Sequence, residues 1–203
     1  MTDVGAFVEA STGAGAGTAS EVSTGIRVVV MGVSGCGKST IGALLARELG
    51  IPFVDGDALH PIENLRKMAG GTPLDDADRA PWLDRIGERL SDSCGGLVVA
   101  CSALKVAYRD RIRTRCPRVV FVHLDGSRDV LAARLEGRSN HFMPSSLLDS
   151  QLATLQPLAP GERGTVIDIA PAVDEIVGAA VRDARRLSSD AAGPRHRATA
   201  EHG

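Results

Sequence analysis

The stretch 26-IRVVVMGVSGCGKSTIGALLARELG-50 decides the fold. Its opening, IRVVVM, is an unbroken apolar run rich in β-branched residues, the pattern of a strand buried on both faces. At its far end Ile41, Leu44, Leu45 and Leu49 recur at helical spacing, and the pattern stops at Gly50 before Pro52. Between them GVSGCGKS (32–39) matches G-x-x-x-x-G-K-[ST], in the strand–loop–helix context that motif requires. Glycines let backbone N–H groups approach phosphate oxygens with no Cβ in the way, and the helix start adds the positive end of its dipole. Lys38 is expected at the β- and γ-phosphates, and the Ser39 hydroxyl at Mg²⁺. The nucleotide-binding set expected from the loop is Gly32, Val33, Ser34, Gly35, Cys36, Gly37, Lys38, Ser39 and Thr40, with Cys36 a small filler.

Outward from this unit, strand-like runs alternate with helical patterns. PFVD (52–55), LVVAC (97–101), RVVFVHL (118–124) and TVIDI (165–169) read as further strands. Helical patterns run through Trp82, Leu83, Ile86 and Leu90, from near Leu104 toward Pro117, over 128–136, over 146–156, and through Val173, Ile176, Val177, Ala180 and Val181. Five strands alternating with helices predict an α/β fold, a parallel sheet covered on both faces. Residues 1–25, rich in Gly, Ala, Ser and Thr, and residues 188–203 cannot bury enough apolar surface to offset their ordering entropy, so both are expected to be disordered. The folded domain is expected over 26–187.

The chain has 203 residues, 43% hydrophobic and 24% charged, with a net charge of −2, which excludes a strongly basic nucleic-acid binder. No apolar run is long enough to span a bilayer, and the N-terminus carries no Lys or Arg before Arg27. Cys36, Cys94, Cys101 and Cys116 form no C-x-x-C pair, so free thiols in a reducing cytoplasm are expected. Of the 23 basic residues only three are Lys: Lys38, Lys67 and Lys105. No N-K-x-D guanine signature is present and no strand ends in a paired Asp-Glu, which points away from switch GTPases and motor ATPases and toward a small-molecule kinase.

DGD (55–57) closes the second strand at its carboxyl end, where open α/β sheets bind ligands. Two carboxylates one residue apart can divide the tasks of holding a metal and accepting the proton of an attacking hydroxyl. The stretch continues as DGDALHPIENLRKMAGGTPLDDADRAPWL (55–83), and CSALKVAYRD (101–110) follows the third strand. Together with the phosphate loop these segments resemble the gluconate kinases, small P-loop sugar-acid kinases related to shikimate kinase, over roughly residues 26–187. The resemblance implies a P-loop kinase fold with a lid over about 137–146. It also implies ATP and Mg²⁺ as cofactors, a small sugar acid as acceptor and a homodimer.

A sugar acid needs cations for its carboxylate and acceptors for its hydroxyls. Asp55, Asp57, His60, Lys67, Arg79, Ser102, Lys105 and Arg109 are the expected substrate-binding residues. Asp57 is read as base or hydroxyl positioner and Asp55 as the residue nearer the metal with Ser39, an assignment that could be reversed. Lys38, Asp57, Lys105 and Arg134 are the expected catalytic set. Arg134 and Arg138, four apart at a helix end before a polar loop, are expected to close over the phosphates as lid arginines, excluding water. His141 and Phe142 match the family's H-F. Adenine is expected near Arg134 and the loop after Ile169. Arg109, Arg111, Arg113, Arg115 and Arg118 alternate and so spread around a helix; this favours a solvated face with Arg109 turned to the site over a nucleic-acid stripe. Two alternatives remain open: a kinase of another small hydroxy acid such as shikimate, and a non-catalytic nucleotide-binding regulator. The first is disfavoured because a shikimate kinase is expected to carry a glycine run where CSAL stands.

Overall fold

The computed structural model describes residues 25–136 and 145–189. Its strands are β1 (Arg27–Met31), β2 (Phe53–Asp55), β3 (Leu97–Ala100), β4 (Val120–Asp125) and β5 (Gly164–Asp168). Its helices are α1 (Lys38–Leu49), α2 (Ile62–Ala69), α3 (Asp76–Ser91), α4 (Val106–Arg115), α5 (Arg128–Glu136), α6 (Ser145–Thr154) and α7 (Val173–Ser189). The strands form one sheet in the order β2-β3-β1-β4-β5 with every pairing parallel. Each strand lies within two residues of its expected position.

β1 shows why its run had to be apolar throughout. Val28 and Val30 pack with Ile41 and Leu45 of α1 and Ile176 and Ala180 of α7. Val29 and Met31, between them, pack on the opposite face with Trp82, Leu83 and Ile86 of α3 and Tyr108 and Ile112 of α4. Successive strand residues point to opposite faces, so a strand with helices on both sides has no polar side to spare.

The helix ends carry readable devices. α1 stops at Gly50, which turns left-handed at φ 68° and donates its N–H to the carbonyls of Ala46 and Arg47. α3 opens on a capping box: the Asp78 N–H donates to Asp75 Oδ1 at 2.8 Å, and the Asp75 N–H donates to Asp78 Oδ2 at 3.1 Å. α2, within the long motif over 55–83, was not anticipated as a helix; among its residues only Asn64 is buried.

The sheet order reverses at β1: the chain moves to β2 and β3 on one side, then crosses to β4 and β5 on the other. The carboxyl ends of β1, β2 and β3 therefore open on one crevice, the position where open α/β sheets bind ligands. The leader expected over 1–25 lies outside the described residues apart from Gly25, and α7 runs on to Ser189 before the undescribed tail. Residues 137–144 of the expected lid also lie outside, and with them Arg138, His141 and Phe142.

Candidate active site

The loop between β1 and α1 wraps one wall of a cavity of about 330 Å³. Gly32 has a φ of 137°, and a Cβ there would stand 2.6 Å from the Leu124 carbonyl oxygen, so only glycine fits where β4 crowds the loop. Lys38 lies back along the loop, its Nζ donating to the Val33 carbonyl at 3.0 Å. Cys36 is buried in the loop's base, and burial raises its thiol despite the nearby Lys38. Burial likewise pushes Cys101, at the end of β3, up to about 12, so neither sulfur is a thiolate at neutral pH.

Asp55 ties the loop to the opposite wall. Its Oδ2 accepts from the Ser39 hydroxyl at 2.7 Å and its Oδ1 accepts from the Asp57 N–H at 3.1 Å. One carboxylate thus holds the hydroxyl at the head of α1 and caps the short 3₁₀ turn Gly56–Leu59 that presents Asp57. Trp82 supports the same turn from below, its Nε1–H donating to the Gly56 carbonyl at 2.7 Å. The Trp82 ring stacks on His60, with centroids 4.2 Å apart and planes 14° from parallel.

A second cavity, about 410 Å³, adjoins the first. Its wall includes His60, Met68, Thr72, Arg79 and Trp82, and Asp57 and Ser102 line both cavities. His60, expected as a cation, enters as a neutral ring: burial and Arg79 lower its pKa, outweighing Asp57. Arg79, in the first turn of α3, donates to the Leu74 carbonyl and is the one guanidinium in this wall among the described residues.

The other expected cations are placed differently. Lys67 Nζ meets both Asp78 oxygens at 2.6 and 2.7 Å, and Lys105 Nζ meets both Asp76 oxygens at 2.7 and 2.9 Å. Tyr108 also donates its hydroxyl to Asp76. Hydrogen bonds from these partners hold both aspartates below the usual carboxylate range and raise both lysines. Two of the three lysines are thus neutralised by aspartates of the α3 cap, a pairing that residue spacing alone had not shown.

Arg109 is not turned to the site, contrary to expectation. It is fully buried and forms a bidentate ion pair with Glu162 at 2.7 and 2.8 Å. Its remaining donors reach the carbonyls of Ala103, Leu104, Gln156 and Pro157 at 2.8–3.3 Å. A guanidinium with every donor committed inside the protein cannot bind a diffusing substrate; it fastens the loop after β3 to the segment after α6. That loop contains Ala103 at φ 43°, the left-handed region that costs a residue with a Cβ about 1 kcal/mol or more.

Arg134 lies in the last turn of α5 beside the phosphate loop. Its Nη2 donates to the Ile169 carbonyl at 2.6 Å, and a Cβ on Gly37 would meet its Nη1 at 3.9 Å. Gln151 of α6, not singled out in the sequence, also lines the first cavity, its Oε1 accepting from the Ser34 N–H at 2.7 Å.

Comparison with known proteins matches this geometry to a family. The shikimate kinase family model matches residues 34–158. A gluconokinase of Gluconobacter oxydans is 50% identical over 145 residues, 70% of this chain and 80% of that protein. The thermosensitive gluconokinase of Escherichia coli K12 is 44% identical over 149 residues, 70% of this chain and 78% of that protein. The crystal structure of a gluconokinase from Sinorhizobium meliloti 1021 superposes with a TM-score of 0.75 at 49% identity, covering 83% of this chain and 96% of that one. A chain of this family is an ATP-dependent phosphotransferase, which sets aside the reading of a regulator without turnover. No helix among the described residues is long and apolar enough to cross a membrane. Phosphate loop, DGD turn and CSAL loop converge on one crevice at the level of fold and sequence alike, and the chain belongs to the gluconokinase family within the wider shikimate kinase group.

Proposed function

We propose that this chain transfers the γ-phosphoryl group of ATP to the terminal hydroxyl of D-gluconate, giving 6-phospho-D-gluconate and ADP. The observation that carries the reading is the shared wall: Asp57 and Ser102 line both the phosphate cavity and the adjoining acceptor cavity. A hydroxyl held at that wall stands beside both the phosphoryl group it attacks and a carboxylate that takes its proton. Arg79 faces the carboxylate of the sugar acid, because Lys67 and Lys105 are already paired with aspartates. Lys38 and Arg134 spread positive charge along the transferring group, and the loop amides fix its oxygens before reaction.

The Ser39 hydroxyl and Asp55 carboxylate, 2.7 Å apart, are hard oxygen donors at the loop's exit and fit Mg²⁺. Among the described residues no cluster of three or more His, Cys, Asp or Glu could hold a metal unaided, in keeping with a cation held mainly by the substrate's phosphates. When bound, Mg²⁺ supplies charge neutralisation at the β- and γ-phosphates. Asp55 therefore orients the metal end, and Asp57 serves the hydroxyl. The unpaired cysteines Cys36, Cys94, Cys101 and Cys116 suit a cytoplasmic enzyme, and a homodimeric assembly is part of the same proposal.

The test is ADP release with Mg²⁺ and ATP against gluconate, shikimate, glycerate, glucose and no acceptor. Product is identified by oxidation with 6-phosphogluconate dehydrogenase. Turnover dependent on gluconate, well above every other acceptor, is expected. Equal or faster turnover on shikimate would overturn the acceptor assignment, and acceptor-independent hydrolysis would overturn the role of the shared wall.

A further inference from the structure

Gln151 occupies a position that neither the motifs nor the family resemblance explains. It lies in the middle of α6, half-buried, and lines the phosphate cavity together with Ser34, Lys38, Asp57 and Ser102. The Ser34 N–H donates to its Oε1 at 2.7 Å. A backbone N–H can only donate, so the acceptor end of the carboxamide faces the loop, and the Nε2 amino group is the end left for the cavity.

The support beneath this side chain is firm. Just past α6 the Gln156 N–H donates to the Leu104 carbonyl at 2.8 Å, and Gln156 Oε1 accepts from the Val106 N–H at 2.6 Å. Arg109 then locks the same segment through the carbonyls of Gln156 and Pro157. The segment that continues the helix carrying Gln151 is thus moored to the loop after β3, while Gln151 itself touches the phosphate loop, so one stretch of chain ties the two loops together.

We infer that Gln151 is a γ-phosphate ligand, its Oε1 fixing the Ser34 amide and its Nε2 donating to a γ-phosphoryl oxygen on the side facing the acceptor. The inference rests on the phosphoryl-transfer reading above and adds a residue to it. A neutral donor suits this place. Lys38 and Arg134 already supply cationic charge, and a transferring phosphoryl group spreads its charge over equatorial oxygens that each need a fixed donor.

Two variants separate this role from simple support of the loop. Gln151→Ala removes both contacts. Gln151→Glu keeps an oxygen for the Ser34 N–H, removes the donor and places a negative charge beside the phosphate. Binding of ADP and of the β,γ-imido analogue of ATP is measured by calorimetry without acceptor, and kcat is then measured with gluconate. For both variants ADP affinity is expected to stay within about twofold of the parent. The analogue should bind about tenfold to a hundredfold more weakly, the range for losing a hydrogen bond to a charged group, and kcat should fall at least as far.

Parental behaviour of Gln151→Glu would overturn the inference, since loop support alone would then suffice. Equal weakening of ADP and analogue would overturn it too, as would unchanged analogue affinity in Gln151→Ala. Because the binding comparison uses no acceptor, it reads Gln151 even if gluconate proves to be the wrong substrate.

Discussion

Replacing Arg109 by methionine removes the centre of a buried polar junction while keeping most of the side chain's volume. Glu162, its side chain 1% exposed, would be left with the Ala159 N–H at 2.6 Å as its hydrogen-bond donor and the Arg113 charge nearby, and the carbonyls of Ala103, Leu104, Gln156 and Pro157 would lose their shared donor. Breaking a buried ion pair from one side costs about 3–5 kcal/mol, because the surviving charge stays desolvated. The freed carbonyls push toward the upper end, though part of that loss is recovered by water and by relaxation. A loss of about 4 kcal/mol is a large share of the roughly 5–15 kcal/mol that holds a domain folded, and in a domain of this size it lowers Tm by about 8–16 °C. Urea and thermal unfolding followed by circular dichroism measure it.

The double variant Arg109→Met/Glu162→Leu, which removes both charges, should recover much of the deficit, since an apolar pair of similar volume pays no desolvation cost. Acid adds a second check. Burial alone would raise the Glu162 carboxyl, but hydrogen bonds from Arg109 and from the Ala159 N–H outweigh it and hold it below its ordinary value of 4.5. A carboxyl depressed in the folded state stabilises above its unfolded pKa, and that stability is lost as pH falls through the folded value. The parent should therefore lose stability below about pH 4.5 more steeply than the double variant. A single-variant loss under about 1 kcal/mol, or a double variant no more stable than the single, would refute the reasoning.

Two further outcomes bear on the site. Asp57→Asn should lower kcat by about a hundredfold or more while changing the KM for ATP little, as expected of a group that acts on the acceptor hydroxyl; a change confined to the KM for ATP would move Asp57 out of that role. Trp82→Phe keeps the ring stacked on His60 but removes the indole donor from the Gly56 carbonyl, so unfolding free energy should fall by about 0.5–1.5 kcal/mol and kcat should drop with it through the displaced Asp57 turn; parental stability in urea melts would show that the indole bond is dispensable.

The parts of this molecule that were legible from residues are those whose signals are local and mutually consistent. The β1–loop–α1 unit combined an apolar run, a glycine-spaced loop and a helical period, and each strand emerged within two residues of its expected position. α2 escaped because Ile62, Leu65 and Met68 are exposed, so its spacing reports no core. Arg109 escaped for the opposite reason. Within Arg109–Arg118 it is one arginine among several, and the acid that buries it stands 53 residues further on, a pairing made only by tertiary contact. Arg111 and Arg115, by contrast, do face outward, toward Asp84 of α3. The destinations of Lys67 and Lys105 were hidden similarly, since Asp76 and Asp78 read as ordinary first-turn acids of a helix. Gln151 carries no motif at all, and a glutamine in a helix gives no hint of what lies across from it.

The common wall of the two cavities has a consequence for stereochemistry. Asp57 and Ser102 line both cavities, so in the proposed reaction the donor side and the acceptor side meet directly at this wall. Donor and acceptor meeting there, as proposed, would exchange the phosphoryl group in one in-line displacement. A single displacement turns the phosphorus centre inside out, so a γ-phosphoryl group made chiral with oxygen isotopes would leave this crevice with its handedness reversed.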